Sequence, residues 1–167
     1  MKINIIAACD NNGVIGINGK IPFDIPEDRK RFKKLTTGHA VIMGRKTKES
    51  LPVFPLKSRL NIVVSEMILE CQEFVKTYFV THLLAHAIKL CLSVKKDCAF
   101  IIGGERLYRE ALPLADRVYL TRVDQDTDFN EHTDEVARFP LYAMKWNDWN
   151  MVEIEKHDGF SFQVWEK

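Results

Sequence analysis

Asp28 is the residue whose type and position in this sequence most strongly indicate chemistry. It lies between Pro22 and Leu35, in a stretch typical of a helix with a narrow apolar side that includes Phe32. Because Phe32 and Leu35 follow Asp28 at helical spacing, the carboxylate shares the face that the helix buries. A buried carboxylate is costly unless a partner offsets the loss of water. Chemistry or a cationic ligand could supply that partner; the structural alternative is an Asp favoured by the helix dipole in the first turn.

The residues around Asp28 predict how this helix begins and which side faces water. Asp24 and Glu27 have the spacing of a capping box, and Pro26 is tolerated in a first helical turn. This interpretation leaves Asp28 as the carboxylate without a structural task. No aromatic or glycine residues are interleaved with the cations of this helix, so we expect a solvated outer surface rather than a nucleic-acid site. The cations are Arg29, Lys30, Arg31, Lys33 and Lys34.

Two strand-to-helix junctions have the composition of phosphate-binding sites. At Gly103-Gly104, adjacent glycines let the backbone approach an anion closely where a helix begins. At Gly44-Arg45-Lys46-Thr47, two cations and a hydroxyl stand at another helix start. Each is weak alone, because a glycine pair after a strand is commonly a tight turn and neither matches a P-loop or dinucleotide fingerprint. Together they indicate a ligand with two separated phosphate groups, such as a dinucleotide with a phosphorylated ribose.

Bulk composition is that of an ordinary soluble domain. The 167 residues are enough for one domain with its own core, so residues 1–167 are interpreted as a single domain. A formal net charge of +1 gives no general attraction to nucleic acid or to an anionic membrane. No signal peptide, membrane span or CxxC spacing is present, which favours a cytoplasmic protein with reduced thiols. His82 and His86 have helical spacing but no third ligand nearby, so no metal site is predicted.

The elements that must position these residues alternate along the chain. Apolar runs predict strands at 2–9, 40–43, 60–65, 77–80, 98–102 and 117–123. A short helix is predicted to begin at 44–47, and further helices are predicted near 83–93 and at 105–112. Residues 10–20, rich in Gly and Asn, are predicted to form a mobile lid. Residues 149–157 and 160–166 predict a hairpin. The fold class is therefore α/β: a single-domain mixed, mostly parallel β-sheet flanked by helices, with a C-terminal antiparallel hairpin. Trp146, Trp149 and Trp165 are interpreted as packing residues.

In this order, the motifs of the chain resemble the dihydrofolate reductase family over essentially its whole length. They are I-I-A-A, N-G-V-I-G-I-N-G-K-I-P, Asp28 with Phe32, V-I-M-G-R-K-T-K-E-S-L, S-R-L-N-I-V-V-S, F-I-I-G-G-E-R-L-Y, Y-L-T-R-V-D and F-S-F-Q-V-W-E. The resemblance implies a dihydrofolate reductase-like fold and the NADPH-dependent reduction of 7,8-dihydrofolate to tetrahydrofolate for one-carbon metabolism and thymidylate synthesis. It also implies a monomer that binds antifolate inhibitors, with no nucleic-acid or membrane partner.

The resemblance further implies roles for individual residues. Asp28 would anchor the pterin and promote protonation of its N5, supported by Thr121, with Ile21 and Phe23 also at the catalytic centre. Arg59 would pair with the α-carboxylate of the glutamyl tail. The other substrate-binding residues would be Ile6, Ala7, Arg29, Phe32, Ser50, Leu51, Leu56, Ile102 and Tyr108. The cofactor-binding residues would be Ala8, Ile15, Gly16, Asn18, Gly44, Arg45, Lys46, Thr47, Val64, Ser65, Glu66, Ile102, Gly103, Gly104, Glu105, Arg106, Leu107 and Tyr108. In this family the two adjacent glycines are joined by a cis peptide.

Four departures from the family pattern bear on the site. Phe23 stands where the family usually has Trp, whose indole N–H helps to hold an ordered water beside the pterin. Arg29 replaces a commonly apolar residue near the benzoyl group. Glu66 stands where many relatives place Arg or a hydroxyl near the 2′-phosphate, although Arg45 and Lys46 still favour NADPH over NADH. Residues 126–146 are longer than the usual loop.

Two alternatives remain open from the sequence. A pyrimidine reductase of the riboflavin pathway shares the fold and cofactor site, although Asp28, Phe32 and Arg59 together favour folate. A catalytically silent folate- or nucleotide-binding protein is the alternative from another class, and Phe23 is the feature that points towards it.

Overall fold

The computed structural model describes residues 1–66, 77–144 and 148–167. The strands are β1 (Lys2–Cys9), β2 (Val14–Ile17), β3 (Ala40–Gly44), β4 (Leu60–Val64), β5 (Phe79–Thr81), β6 (Cys98–Ile101), β7 (Arg117–Val123), β8 (Val136–Arg138), β9 (Asn150–His157) and β10 (Phe160–Glu166). The helices are α1 (Pro26–Thr36), α2 (Arg45–Ser50), α3 (Leu84–Ser93) and α4 (Glu105–Ala111), with short 3-10 turns at Leu112–Leu114 and Leu141–Ala143.

A central sheet carries the fold, in the strand order β5-β4-β3-β6-β1-β7-β10-β9. The strands from β5 to β7 pair in parallel, whereas β10 pairs antiparallel with both β7 and β9. Strands β3 and β6 are almost wholly buried and apolar, as expected for parallel strands covered on both faces. The predicted fold class is confirmed, including the C-terminal hairpin.

Helices cover both faces of the parallel part. On one face, Leu84 and Ala87 of α3 and Leu107 of α4 pack in one buried cluster with alternate residues of the central strands. On the other face, Phe32 and Leu35 of α1 pack against the smaller cluster that contains the remaining strand residues. Alternation within β1 sends neighbouring side chains to opposite faces. The apolar side of α1 predicted from the sequence therefore packs on the sheet, and Asp28 is carried with it.

The beginning of α1 differs from the prediction. The residue that precedes the helix is Ile25, and no side chain caps the free N–H groups there. Asp24 forms an ion pair with Arg29 instead, so the capping box predicted for Asp24 and Glu27 is wrong. The helix starts without a cap because Pro26 already sets a helical backbone angle and Glu27 complements the helix dipole in the first turn.

One member of the basic run is not on the solvated surface. Arg29, Lys30, Lys33 and Lys34 are exposed, as predicted, but Arg31 is partly buried. Its guanidinium lies over the Phe162 ring of β10, with 4.5 Å between the guanidinium carbon and the ring centroid. The prediction is wrong at this position because tertiary packing places α1 next to β10, which the composition of the run cannot reveal.

The glycine-rich segment at residues 10–20 contains a strand that was not predicted. Strand β2 pairs antiparallel with β8, which lies in the long insertion of residues 126–146. Val14 pairs with Arg138 and Ile17 with Val136, and a bulge interrupts the pairing between Val14 and Gly16. This second sheet ties the predicted lid to the insertion.

The remaining predictions have clear outcomes where the structure describes them. Strand β5 lies one to two residues later than predicted. Trp149 is buried and Trp165 packs against the core, as expected for packing residues, whereas Trp146 and Cys71 lie outside the described residues. Within the described residues, no helix is long and apolar enough to cross a membrane.

Candidate active site

A cleft of about 990 Å³ runs along the carboxyl ends of the parallel strands. Its walls include Ile6 of β1, Gly44 of β3, Val64 of β4 and Ile102 just after β6, together with the first turn of α1. Ligands of α/β proteins generally bind at this edge of the sheet, where strands end and helices begin. The cleft is therefore the candidate active site.

Asp28 lies in the first turn of α1 and faces this cleft. The Thr121 hydroxyl, fully buried on β7, donates a hydrogen bond of 2.6 Å to Oδ1 of Asp28. Burial raises the pKa of Asp28, while the hydrogen bond from Thr121 and the charge of Arg31 act in the opposite direction. Because burial prevails, this carboxyl holds a proton at higher pH than an exposed Asp does.

An apolar wall lies beside the carboxylate. Phe32, Leu51 and Leu56 pack against the buried side chains of Ile6 and Ile102, and all five line the cleft. Flat heterocycles bind in such surroundings, since apolar walls supply area and a few polar groups fix orientation. The Asp28 carboxyl is a polar group that lies next to this wall.

The mouth of the cleft carries residues from the segment before α1. Phe23 lines the cleft, and Ile21 does so while its side chain is 63% exposed. Arg29 lies at the edge, where its ion pair with Asp24 offsets its charge. An exposed ion pair of this kind contributes little to stability, so Arg29 remains available to a ligand.

Arg59 lies in the same cleft with its guanidinium held in place. Its Nη1 donates to the Thr36 hydroxyl at 3.0 Å and its Nε donates to the Lys57 carbonyl at 3.0 Å. The guanidinium carbon lies 5.8 Å from the centroid of the Phe32 ring. Among the described residues no carboxylate forms an ion pair with Arg59. A fixed, half-buried guanidinium of this kind is suited to a carboxylate of the ligand.

Gly103 and Gly104 form another part of the cleft, which we call the glycine cradle. Gly103 has φ of +120°, which side-chain-bearing residues rarely adopt, and the peptide between Gly103 and Gly104 is cis. A Cβ atom at Gly103 would lie 3.2 Å from the Thr47 hydroxyl and 3.3 Å from the Tyr108 hydroxyl. Glycine is therefore required here, and the bare backbone lets an anionic ligand come close.

Tyr108 packs against the backbone of the glycine cradle. Its hydroxyl donates a hydrogen bond of 2.9 Å to the Ile6 carbonyl and is buried. Burial raises the pKa of Tyr108 above its ordinary value, so the hydroxyl remains protonated and continues to donate. The hydrogen bond links helix α4 to strand β1 next to both halves of the cleft.

Three cations near the glycine cradle, Arg45, Lys46 and Arg106, have carboxylate partners. Arg45 donates to Glu49 at 2.7 Å, and Lys46 forms an ion pair with Glu135. Arg106 contacts Glu66 and also Glu110. The negative charge of Glu66 is thereby offset within the protein. A phosphate that binds here competes with exposed carboxylates, which water and salt screen.

Most residues that the family resemblance places in the site are brought together. Apart from Asn18 and Thr121, each of them lines the cleft. Thr121 lies behind Asp28, to which it donates. Asn18 is not part of the lining: its Nδ2 donates to Asp134 at 2.8 Å and its Oδ1 accepts from the Glu135 N–H at 2.9 Å. The role of Asn18 in binding the cofactor stays a prediction.

Sequence reasoning missed the contribution of the insertion. Glu135, Val136 and Ala137 line the cleft because β8 pairs with β2 and thereby lies beside it. No local motif marks these residues. Only the pairing with β2 brings them to the site. The cleft is also lined by Val53 and His82, which no prediction included.

Comparison with known proteins agrees with this geometry. The family model described as dihydrofolate reductase matches residues 2–166. The chain is 42% identical over 138 residues to the dihydrofolate reductase of Neisseria gonorrhoeae, covering 83% of this chain and 82% of that protein. It is 39% identical over 159 residues to the dihydrofolate reductase type 3 of Salmonella typhimurium, covering 94% and 88%. It is 36% identical over 154 residues to that of Bacillus subtilis (strain 168), covering 92% and 83%. The chain therefore belongs to the dihydrofolate reductase family, a family of oxidoreductases that use a nicotinamide cofactor.

Proposed function

We propose that this chain reduces 7,8-dihydrofolate to 5,6,7,8-tetrahydrofolate with NADPH. The observation that carries the proposal is the Asp28 carboxyl, which lies in an apolar cleft and accepts a hydrogen bond from Thr121. The cleft also contains the Gly103-Gly104 cradle, so one continuous space can hold two ring systems next to each other. The relatives named above as dihydrofolate reductases support the same substrate.

Asp28 binds and orients the pterin in this proposal. Its carboxylate accepts hydrogen bonds from the 2-amino group and N3, which are the donors on one edge of the heterocycle. The apolar side chains of Ile6, Phe32 and Leu51 then exclude water from the ring faces. Arg59 pairs with the α-carboxylate of the glutamyl tail, since its guanidinium is already oriented by Thr36.

Protonation of the pterin N5 depends on the same carboxyl. Because burial raises the pKa of Asp28, a proton remains near the pterin at a pH where an exposed Asp has lost it. A cationic dihydropterin accepts a hydride more readily than a neutral one. Phe23 has no donor that could hold a water, so the backbone or Asp28 itself must hold any water that carries the proton.

The residues of the cradle fit NADPH. When bound, NADPH supplies the hydride that reduces the C=N bond. Gly103 and Gly104 carry no side chains, so their backbone would let a diphosphate approach closely. Arg45 and Lys46 would hold the 2′-phosphate with the Thr47 hydroxyl. The β2 and β8 residues that line the cleft, among them Ile15 and Ala137, would exclude water from the nicotinamide.

One assay tests the proposed reaction. Purified protein should lower the 340 nm absorbance of NADPH only after dihydrofolate is added, and methotrexate should stop the loss. Asp28→Asn should keep its circular dichroism spectrum and lower turnover by roughly 10²–10⁴ at neutral pH. Asp124→Asn removes an exposed carboxylate and serves as the matched control. Near-normal turnover in Asp28→Asn would remove Asp28 from its role, and NADPH oxidation with the riboflavin-pathway pyrimidine alone would favour the alternative reductase.

Cofactor preference follows from the charges at the 2′-phosphate end. We expect a higher kcat/KM with NADPH than with NADH, because Arg106 offsets Glu66 while Arg45 and Lys46 remain cationic. Glu66→Gln should increase the preference for NADPH further, since it removes the nearby negative charge. Equal kcat/KM values for the two cofactors in the unaltered protein would contradict this assignment.

We also infer a cytoplasmic monomer, by analogy with the family. Light scattering of the purified protein should give a mass near 19.3 kDa. A mass of about twice that value would contradict it.

A further inference from the structure

Arg31 belongs to a run of surface cations, yet it is partly buried and its charge acts on the Asp28 carboxyl, three residues earlier on α1. Its guanidinium carbon lies 4.5 Å from the centroid of the Phe162 ring and 5.6 Å from that of Tyr119. Its Nη1 atom is buried and has no hydrogen-bond partner within the part of the chain that the structure describes. A guanidinium keeps its charge in such surroundings. A positive charge that has lost much of its water therefore stands at this position.

Helix α1 and the paired strands β7 and β10 both place the Arg31 guanidinium on the same side of the molecule as Asp28. Arg31 follows Asp28 by three residues, so the two side chains are neighbours on the surface of α1. On the sheet below, Thr121 of β7 is paired directly opposite Phe162 of β10, and opposed residues point to the same face. Thr121 donates to Asp28 while Phe162 carries Arg31. The two contacts hold the carboxylate and the guanidinium over the same face of the sheet.

Other titratable groups around Asp28 and Arg31 have a smaller electrostatic effect on Asp28. They include Tyr119 on β7, Tyr108 on α4, and Glu153, Glu155 and His157 on β9, the last with its ring centroid 5.0 Å from that of Phe162. Burial raises the pKa of Tyr108, so its hydroxyl carries no charge at neutral pH. Glu155 pairs opposite Phe162 and Glu153 opposite Val164, and both glutamates are exposed, so water and salt screen them. Arg31 is therefore the charge that acts most directly on Asp28, and it opposes the rise in the pKa of Asp28 that burial causes.

We propose that Arg31 is a positioning residue for the reaction proposed above: its guanidinium, held on the Phe162 ring, favours the ionised form of Asp28, which accepts hydrogen bonds from the heterocycle. The inference rests on the proposed function for its catalytic meaning. Arg31 itself does not line the cleft. It acts through Asp28, and the rest of the basic run has no such contact because its other members are exposed.

The experiment measures the titration of Asp28 directly. Carbon-13 NMR of the ligand-free protein, with the Asp28 carboxyl assigned by its absence in Asp28→Asn, gives the titration midpoint without any reaction. Arg31→Met keeps an unbranched side chain on the Phe162 ring but removes the charge. It should raise the midpoint, since the opposite charge that favours the carboxylate has been removed. Arg31→Lys restores the charge and should return most of that rise.

A matched control separates this effect from the net charge of the helix. Lys30→Met removes one charge from an exposed position of the same helix and should leave the midpoint where it is. Arg31→Gln is used in the same way if Arg31→Met does not fold. In the NADPH assay, the pH at which turnover falls to half on the alkaline side should move upwards with the midpoint.

The outcomes distinguish the two proposals. Equal midpoints for Arg31→Met, Lys30→Met and the unaltered protein would overturn the role of Arg31, and so would an Arg31→Lys variant that behaves like Arg31→Met. If the unaltered protein oxidises no NADPH with dihydrofolate, the proposed function fails, while the carboxyl titration still decides whether Arg31 controls Asp28.

Discussion

Removing the Thr121 hydroxyl tests the electrostatics of the site at one atom. Thr121→Val keeps the shape of the side chain but removes the donor that lies 2.6 Å from Oδ1 of Asp28. Thr121 is fully buried, so water cannot replace the lost donor. Hydrogen bonds to charged groups contribute about 1.5–3 kcal/mol, and the ionised form of Asp28 loses this amount in the variant.

The sign of the effect follows from which form the hydrogen bond favours. The Thr121 hydroxyl favours the carboxylate and so lowers the pKa of Asp28, against the larger effect of burial. The variant should therefore titrate at higher pH, by about one to two pH units, since one unit corresponds to about 1.4 kcal/mol. The deficit in unfolding free energy should grow as pH rises through the pKa of Asp28, because the ionised carboxylate is then buried without its donor.

Two measurements check this expectation. Carbon-13 NMR of the Asp28 carboxyl gives the titration midpoint, and urea unfolding at several pH values gives the free energy. Thr37→Val serves as control, since the Thr37 hydroxyl also donates a short hydrogen bond, to the Lys33 carbonyl, but is exposed. Unchanged titration in Thr121→Val, or a stability deficit that does not depend on pH, would refute the reasoning.

Three further perturbations address stability, the cradle and the substrate tail. Burial raises the pKa of Asp28 in the folded state, so the stability that this group contributes is fully present below its unfolded pKa and is lost as pH rises through its folded pKa. Asp28→Asn should therefore unfold at a higher urea concentration than the unaltered protein at pH 7, and at nearly the same concentration near pH 3. Equal urea midpoints of the two proteins at pH 7 would contradict this expectation. Gly103→Ala should lower the free energy of unfolding by about 1–3 kcal/mol and weaken NADPH binding, because φ of Gly103 is +120° and a Cβ there would crowd two hydroxyls. The control Gly44→Ala should lower the free energy of unfolding less, since its Cβ would meet no atom closer than 3.6 Å. Equal urea midpoints for the two variants would contradict this difference. Arg59→Lys should raise the KM for dihydrofolate with little change in kcat, since lysine cannot form a bidentate pair with the tail; an unchanged KM would argue against the contact.

Many of the chemical groups of the site could be predicted from the sequence, because the patterns that mark them lie within short stretches of the chain. Helical spacing put Asp28 on the same face as Phe32, and the packing of α1 on the sheet confirmed that face. The adjacent glycines at Gly103 and Gly104 predicted a position where the backbone is free of side chains, and the positive φ of Gly103 requires glycine there. Apolar runs gave the parallel strands to within about two residues, because burial on both faces leaves little room for polar side chains.

What the sequence could not supply depended on which partner each residue contacts in the folded chain. The capping box failed because Asp24 turned to Arg29 instead of the helix N–H groups. The pairing of β2 with β8 was absent from the prediction because a short strand is stabilised by its partner, and that partner lies more than a hundred residues away.

By itself, the order of residues determined which groups are present at the site: a carboxylate on an apolar helix face, a glycine pair after a buried strand, and cations where a second helix begins. Tertiary structure alone decided their electrostatic state. Asp28 acquires its raised pKa from the walls that surround it, its hydrogen bond from Thr121, ninety-three residues away, and its neighbouring charge from Arg31 held on the Phe162 ring. The physical reason is that burial and charge proximity act through space, and distance along the chain does not determine distance in space.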